Sequence, residues 1–270
     1  MKQRILTALL LAPLAIGLLL FAPTRWLLPI IAVILLCGVW EWTRLIGVKT
    51  LLVRALLLLP PVAIMAWLAQ FGWPHLFPLV VLAGLLWWLT ATVWMFFPQI
   101  GSKRTNGVRL WKYAVVLLMV VPAWSALALL HADPEHGPAW ALFAVMIVWV
   151  ADSGAYFAGT RWGGRKLAPS ISPGKTWAGL WGGLAASLLL AVSMALIMGL
   201  DLRSTAGLLL ATALAMLISV VGDLCESLIK RHAGAKDSGH LIPGHGGVLD
   251  RLDSLFAALP MFVVLKWSLL

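Results

Sequence analysis

TAGLLLATALAMLISVVGDLCESLIKRHAGAKDSGHLIPGHGGVLDRLDSLFAALPMFVVLKWSLL, residues 205–270, decides the fold, because two apolar runs, 205–229 and 252–270, enclose a polar, glycine-bearing stretch. Crossing a hydrocarbon core of about 30 Å takes about 20 apolar residues in a helix. The stretch therefore reads as a transmembrane helix, a charged loop and a second transmembrane helix. The loop carries Lys230, Arg231, Lys236 and Arg251 as cations and Asp237, Asp250 and Asp253 as carboxylates, with Gly244, Gly246 and Gly247 around His245. Cationic and N–H donors suit phosphates, hard carboxylate oxygens suit Mg²⁺, and glycine lets the backbone approach both.

The rest of the chain has the same character. Its 270 residues are 62% hydrophobic and 11% charged, with mean hydropathy +0.97; about 25% charged is usual for soluble domains, which excludes that class. Nine segments qualify as spans: 5–23, 26–42, 51–71, 76–97, 111–131, 139–159, 176–200, 205–229 and 252–270. The expected fold is all-α, a polytopic integral membrane helix bundle of about nine transmembrane helices. The opening MKQR and the apolar run after it read as a retained first helix, since Pro23-Thr24-Arg25 leads straight into another span. With the N-terminus in the cytoplasm and the C-terminus outside, all 20 Lys and Arg except Arg25, Arg203 and Lys266 fall on the cytoplasmic side. The net charge of +10 is thus mostly topology. No soluble basic domain exists to bind nucleic acid, while a positive cytoplasmic face draws in anionic nucleotides and lipid headgroups. Cys37 and Cys225 sit inside spans and read as small apolar residues without a disulfide.

Polarity divides the chain into 1–97, a transmembrane scaffold, and 98–270, a catalytic half with cytoplasmic loops 159–175 and 230–251. In the scaffold, Pro60-Pro61 predicts a kink, and Trp87, Trp88 and Trp94 read as packing residues too deep for the interfacial belt. In the second half Asp152, Asp223 and Glu226 lie toward one end of their spans. A charge at a helix centre costs roughly 2.5–3.5 kcal/mol, so such residues face a polar cavity or a partner. Asp223, Glu226, Ser227 and Lys230 follow at i, i+3, i+4 and i+7, one stripe over two turns. Asp250 and Asp253 repeat the i, i+3 spacing where the last helix begins. If the last two helices pack side by side, Asp223 meets Asp250 and Asp253; three like charges call for a cation, and Mg²⁺ is the natural one. In the loop 159–175, Pro169 and the lack of a βαβ context rule out a Walker motif around Gly174-Lys175-Thr176. The alternative is a helix N-terminus at Thr176, with Ser172, Lys175 and Thr176 offering donors to a phosphate. Gly179 and Gly183 then suit helix packing, within the chain or across a homodimer.

The stretch 227–253 also resembles the signature of the phosphatidate cytidylyltransferases. Ser227, Lys230, Arg231, Lys236, Asp237, Pro243, His245, Gly246, Gly247, Asp250, Arg251 and Asp253 fill that pattern without a gap, and 151–177 is similar to a second family block. Ala178 stands where the family often has a polar residue, and the N-terminal half is similar only in being hydrophobic. The resemblance implies an integral protein of the bacterial inner (cytoplasmic) membrane with its site facing the cytoplasm. The implied reaction joins CTP to phosphatidate, giving CDP-diacylglycerol and pyrophosphate. Asp223, Asp250 and Asp253 would hold the metal and, with Lys230, form the catalytic set. Ser172, Lys175, Thr176, Ser227, Arg231, Lys236, His245 and Arg251 would bind substrate. Two rival classes stay open: a CTP-dependent lipid kinase and an ion-coupled transporter. Charge gathered at one face and the lack of detectable inverted repeats weigh against transport.

Overall fold

The computed structural model describes residues 2–73, 75–242, 244 and 246–270, with side chains from residue 9 onward. Its helices are α1 (Lys2–Phe21), α2 (Thr24–Leu45), α3 (Leu51–Leu56), α4 (Leu59–Trp67), α5 (Leu76–Trp94), α6 (Asn106–His131), α7 (Gly137–Trp162), α8 (Trp177–Met198), α9 (Leu202–Ala233) and α10 (Leu249–Leu269). Among the described residues eight helical segments are long and apolar enough to cross a membrane, with Leu9–Phe21 a shorter apolar one in α1. The chain is an all-α integral membrane bundle. Each expected span has its helix, and the third is segmented as its prolines require. It breaks between α3 and α4 just before Pro60-Pro61, and a π-helical turn, Leu68–Gly72, closes it.

The core is built around α6, which is buried over much of its length, and α10, which packs most extensively against α9. The tryptophans of α5 are packing residues. Trp88 is fully buried and donates its indole N–H to the Phe256 carbonyl of α10 at 2.7 Å, and Trp94 donates to Ile100 O at 3.0 Å. Small residues bring α7 and α8 together. A methyl group on Gly183 would sit 2.8 Å from the Ala151 carbonyl, and one on Gly154 2.7 Å from that of Gly182, so the GxxxG pattern works within the subunit.

One local feature was not legible as helix or loop. Residues 166–176 form an antiparallel hairpin, β1 (Lys166–Ala168) with β2 (Ser172–Thr176), whose register pairs Lys166 with Thr176 and Ala168 with Ser172. The hairpin delivers the chain to α8, where the Thr176 hydroxyl caps the helix by accepting from Gly179 N at 3.0 Å. At the other end of the bundle Lys266 joins Asp133 at 2.8 Å and lies 4.8 Å from the Trp140 ring centre.

Candidate active site

α7, α8, α9 and α10 converge with the hairpin around a cavity of about 560 Å³. That volume lies within the range of roughly 300–1,000 Å³ of small-molecule sites. α7 supplies Asp152, α9 supplies Ser219, Asp223 and Lys230, and α10 supplies Asp250, Arg251 and Asp253. The hairpin supplies Ser172, Lys175 and Thr176, and the loop supplies Asp237. Both motif regions therefore line one volume, although about fifty residues of chain separate them.

The polar stripe on α9 folds as its spacing predicts. The Ser227 hydroxyl donates to Asp223 Oδ1 at 3.2 Å, and Lys230 forms an ion pair with Glu226 one turn back. Lys230 Nζ also reaches across to Asp250 Oδ1 on α10 at 2.7 Å, so one ammonium stands between two carboxylates. The second cation, Lys175, comes from β2 and meets Asp223 Oδ2 at 2.5 Å. Glu226 is fully buried, and Lys230 is its ion-pair partner. A buried carboxylate is tolerated only with such a counter-charge.

The three aspartates expected to meet at one cation divide into two roles. Asp250 is already coordinated by the protein: its Oδ2 accepts from Ser238 N at 3.0 Å, Ser238 Oγ at 2.9 Å and Gly247 N at 2.8 Å. It anchors Lys230 and the loop. Asp152, Asp223 and Asp253 all line the cavity; Asp223 is held by Lys175 and Ser227, and Asp253 Oδ1 accepts from the Ser254 backbone N–H at 2.7 Å. Among the described residues no three acidic, His or Cys side chains stand close enough to share an ion. A pair of hard carboxylates with open volume beside it still fits Mg²⁺, which takes one or two carboxylates and completes its shell with waters and phosphate oxygens.

Other expected residues are placed differently. Arg231 is not part of the cavity lining; it donates to the Ile171 carbonyl at 3.2 Å, tying α9 to the hairpin. Lys236 is exposed and is not part of the cavity lining. His245 and Pro243 lie outside the described residues.

The scaffold half contributes two residues that sequence reasoning did not assign to the site. Glu41, near the end of α2, is buried; its Oε2 accepts from Leu249 N at 2.9 Å and shares the single Ser238 hydroxyl proton with Asp250 Oδ2, Ser238 Oγ lying 2.9 Å from each. Arg44 donates to the Ser238 carbonyl at 2.5 Å. Gly239 and Gly247 pack so closely on the Glu41 carboxylate that a side chain at either position would collide with it. These two glycines make room for a buried acid. The available signal was Glu41 itself, a carboxylate in an apolar span, which calls for a partner.

The profile of the cytidylyltransferase family matches residues 2–269. A protein of Pseudomonas aeruginosa named phosphatidate cytidylyltransferase is 43% identical over 270 residues, covering 99% of this chain and 97% of its own. One of the same name from Haemophilus influenzae is 40% identical over 281 residues, covering 97% of each chain. A third, from Brucella suis, is 48% identical over 136 residues, about half of each chain. Full-length similarity of this kind extends through the N-terminal half, where Glu41 and Arg44 reach the loop, and the chain belongs to the cytidylyltransferase family.

Proposed function

We propose that this protein transfers the cytidylyl group of CTP to phosphatidate, giving CDP-diacylglycerol and pyrophosphate, at a cavity that opens to the cytoplasm from the inner (cytoplasmic) membrane. The names of its full-length relatives support this reading. The observation that carries it is the folding of both motif regions around one cavity where Lys175, Lys230 and Arg251 stand among Asp152, Asp223, Asp250 and Asp253. The distribution of Lys and Arg along the chain supports the orientation.

In this reaction a phosphate oxygen of phosphatidate attacks the α-phosphorus of CTP. The new P–O bond forms as the bond to the β-phosphate oxygen breaks, and pyrophosphate carries the electron pair away. The attacking oxygen is already anionic near neutral pH, so positioning and charge neutralisation do the work. Lys175 and Lys230 are each held by a carboxylate that fixes where the ammonium points. From those positions they meet phosphate oxygens without reorganising. Asp223 and Asp253 would hold Mg²⁺, which when bound neutralises charge on the triphosphate and the leaving pyrophosphate. Ser172, at the cavity wall, adds a hydroxyl donor.

The test is purified protein with phosphatidate and CTP labelled at either the α- or the γ-phosphorus. The expected result is α-label in the lipid, dependent on phosphatidate, with pyrophosphate released. Lipid labelled only from the γ-position would replace this reading with a lipid kinase.

A further inference from the structure

A second cavity, of about 470 Å³, lies between the end of α2, the loop after it, the start of α6 and the end of α9. Every charged residue lining it is Lys or Arg, and His232 is its one further titratable side chain. Neither Asp nor Glu lines it, and among the described residues none of its cations forms an ion pair. Cations that merely set topology belong in water. Here Lys112 is only 6% exposed and lies within electrostatic reach of Arg104 and His232, with no carboxylate in the cavity wall to meet it. Arg109 Nε is buried and has no acceptor, and the guanidinium's Nη1 donates to the neutral Asn106 Oδ1 at 3.4 Å. The wall holds the other side chains in place through neutral groups. Arg104 donates to the Ala233 carbonyl at 3.2 Å, and His232 Nε2 to that of Pro98 at 2.7 Å, which leaves His232 Nδ1 buried with no partner.

Burying an ammonium costs several kcal/mol unless a counter-charge and hydrogen bonds compensate it. The protein supplies the geometry of such a site and none of the negative charge. We infer that this cavity is a second anion site that binds a phosphate monoester or diphosphate group, separate from the cavity that holds Asp223 and Asp253. Tetrahedral oxyanions with two or more charges match several converging donors, and a guanidinium adds bidentate contacts. The site is linked to the signature loop through Arg44, which lines this cavity and donates to the Ser238 carbonyl; Ser238 in turn holds Asp250. The same chemistry could arrive as a lipid headgroup or as a soluble phosphate.

The experiment uses the full chain in phosphatidylcholine nanodiscs in a Lys175→Met background, which weakens phosphate binding at the first cavity. Thermal stability and native mass spectra are followed against inorganic pyrophosphate in solution and, separately, against phosphatidate in the disc. Lys175→Met should still gain stability saturably from one of these probes, since a ligand that binds the folded state raises its melting temperature. Adding Lys112→Met or Arg109→Gln should weaken that binding about tenfold or more, the size expected for losing a charged hydrogen-bond partner, and Lys112→Arg should retain it. A response to pyrophosphate names a soluble ligand, and a response to phosphatidate alone names a headgroup. If the Lys175→Met protein responds to neither probe, or if folded Lys112→Met and Arg109→Gln variants bind as tightly as their parent, the site does not exist.

Discussion

The two cavities differ in how their charges are compensated. In the first, each lysine is met by a carboxylate from another part of the chain: Lys175 of β2 by Asp223 of α9, and Lys230 of α9 by Asp250 of α10. In the second, Lys112 is buried and Arg109 is half-buried with its Nε enclosed, and no carboxylate lines the cavity. Both volumes are of similar size and touch α9. A charge that the protein itself compensates is held at a fixed point, ready to stabilise charge that develops during reaction. A charge left uncompensated is a standing cost that only an incoming anion removes. The sign of a mutation's effect therefore distinguishes the two.

The largest effect should come from Lys230→Met. Removing that ammonium leaves Glu226, fully buried, and Asp250 without their shared counter-charge, and breaking a buried pair in this way costs about 3–5 kcal/mol. Thermal unfolding of the purified variant checks it; unchanged stability would mean the pairs are not formed.

Next come Asp223→Asn and Asp253→Asn, which should keep the fold and lose roughly 10²-fold or more in kcat, the size of deleting one electrostatic stabiliser. Steady-state kinetics across a magnesium titration measure this. Full activity in both variants would end the assignment of a metal to this pair.

Glu41→Ala tests how far the scaffold half governs the loop. Leu249 N would lose its acceptor and the Ser238 hydroxyl would be left with Asp250 alone, and a hydrogen bond to a charged group contributes about 1.5–3 kcal/mol. Stability and activity should fall together, with Glu41→Gln restoring part of both. A silent Glu41→Ala would show that the loop holds its shape without α2.

Lys112→Met should move stability in the opposite direction from Lys230→Met. Replacing a buried lysine that no carboxylate meets by an apolar chain of similar length should stabilise the protein in the absence of phosphate, by on the order of 1 kcal/mol. Destabilisation instead would show that the second cavity compensates its charge internally.

The smallest effect belongs to Asp133→Asn, far from both cavities. Burial pushes the Asp133 carboxyl up, but the hydrogen bond from Lys266, the backbone N–H groups of His136 and Glu135 and the Lys266 charge outweigh it, so the group sits below the usual carboxylate range. A depressed folded-state pKa contributes stability above the unfolded value and loses it as pH falls through the folded one. The wild-type advantage over Asp133→Asn, about 1 kcal/mol or less, should thus be present near neutral pH and vanish in acid, with activity unchanged throughout. An advantage that grows in acid would reverse the assignment.

The sequence by itself determined the class of molecule, the positions of its spans and much of the first cavity. Apolar runs of membrane length leave the backbone no alternative to helix, and the i, i+3, i+4, i+7 spacing on α9 places Asp223, Glu226, Ser227 and Lys230 on one face whatever packs against it. Those are consequences of local geometry. Only the tertiary structure decided which carboxylate meets which cation, because Lys175, Asp223, Lys230 and Asp250 are joined across three elements and no periodicity encodes that pairing. It also decided that Asp250 anchors the loop, that Arg231 and Lys236 lie off the cavity, and that Glu41 reaches Ser238 from 197 positions away. The cationic cavity was hidden for the same reason: Lys and Arg at 44–54, 103–112 and a histidine at 232 look in sequence like separate topology signals. They become one site only when the ends of α2, α6 and α9 are brought together, since electrostatic energy depends on distance in space and not along the chain.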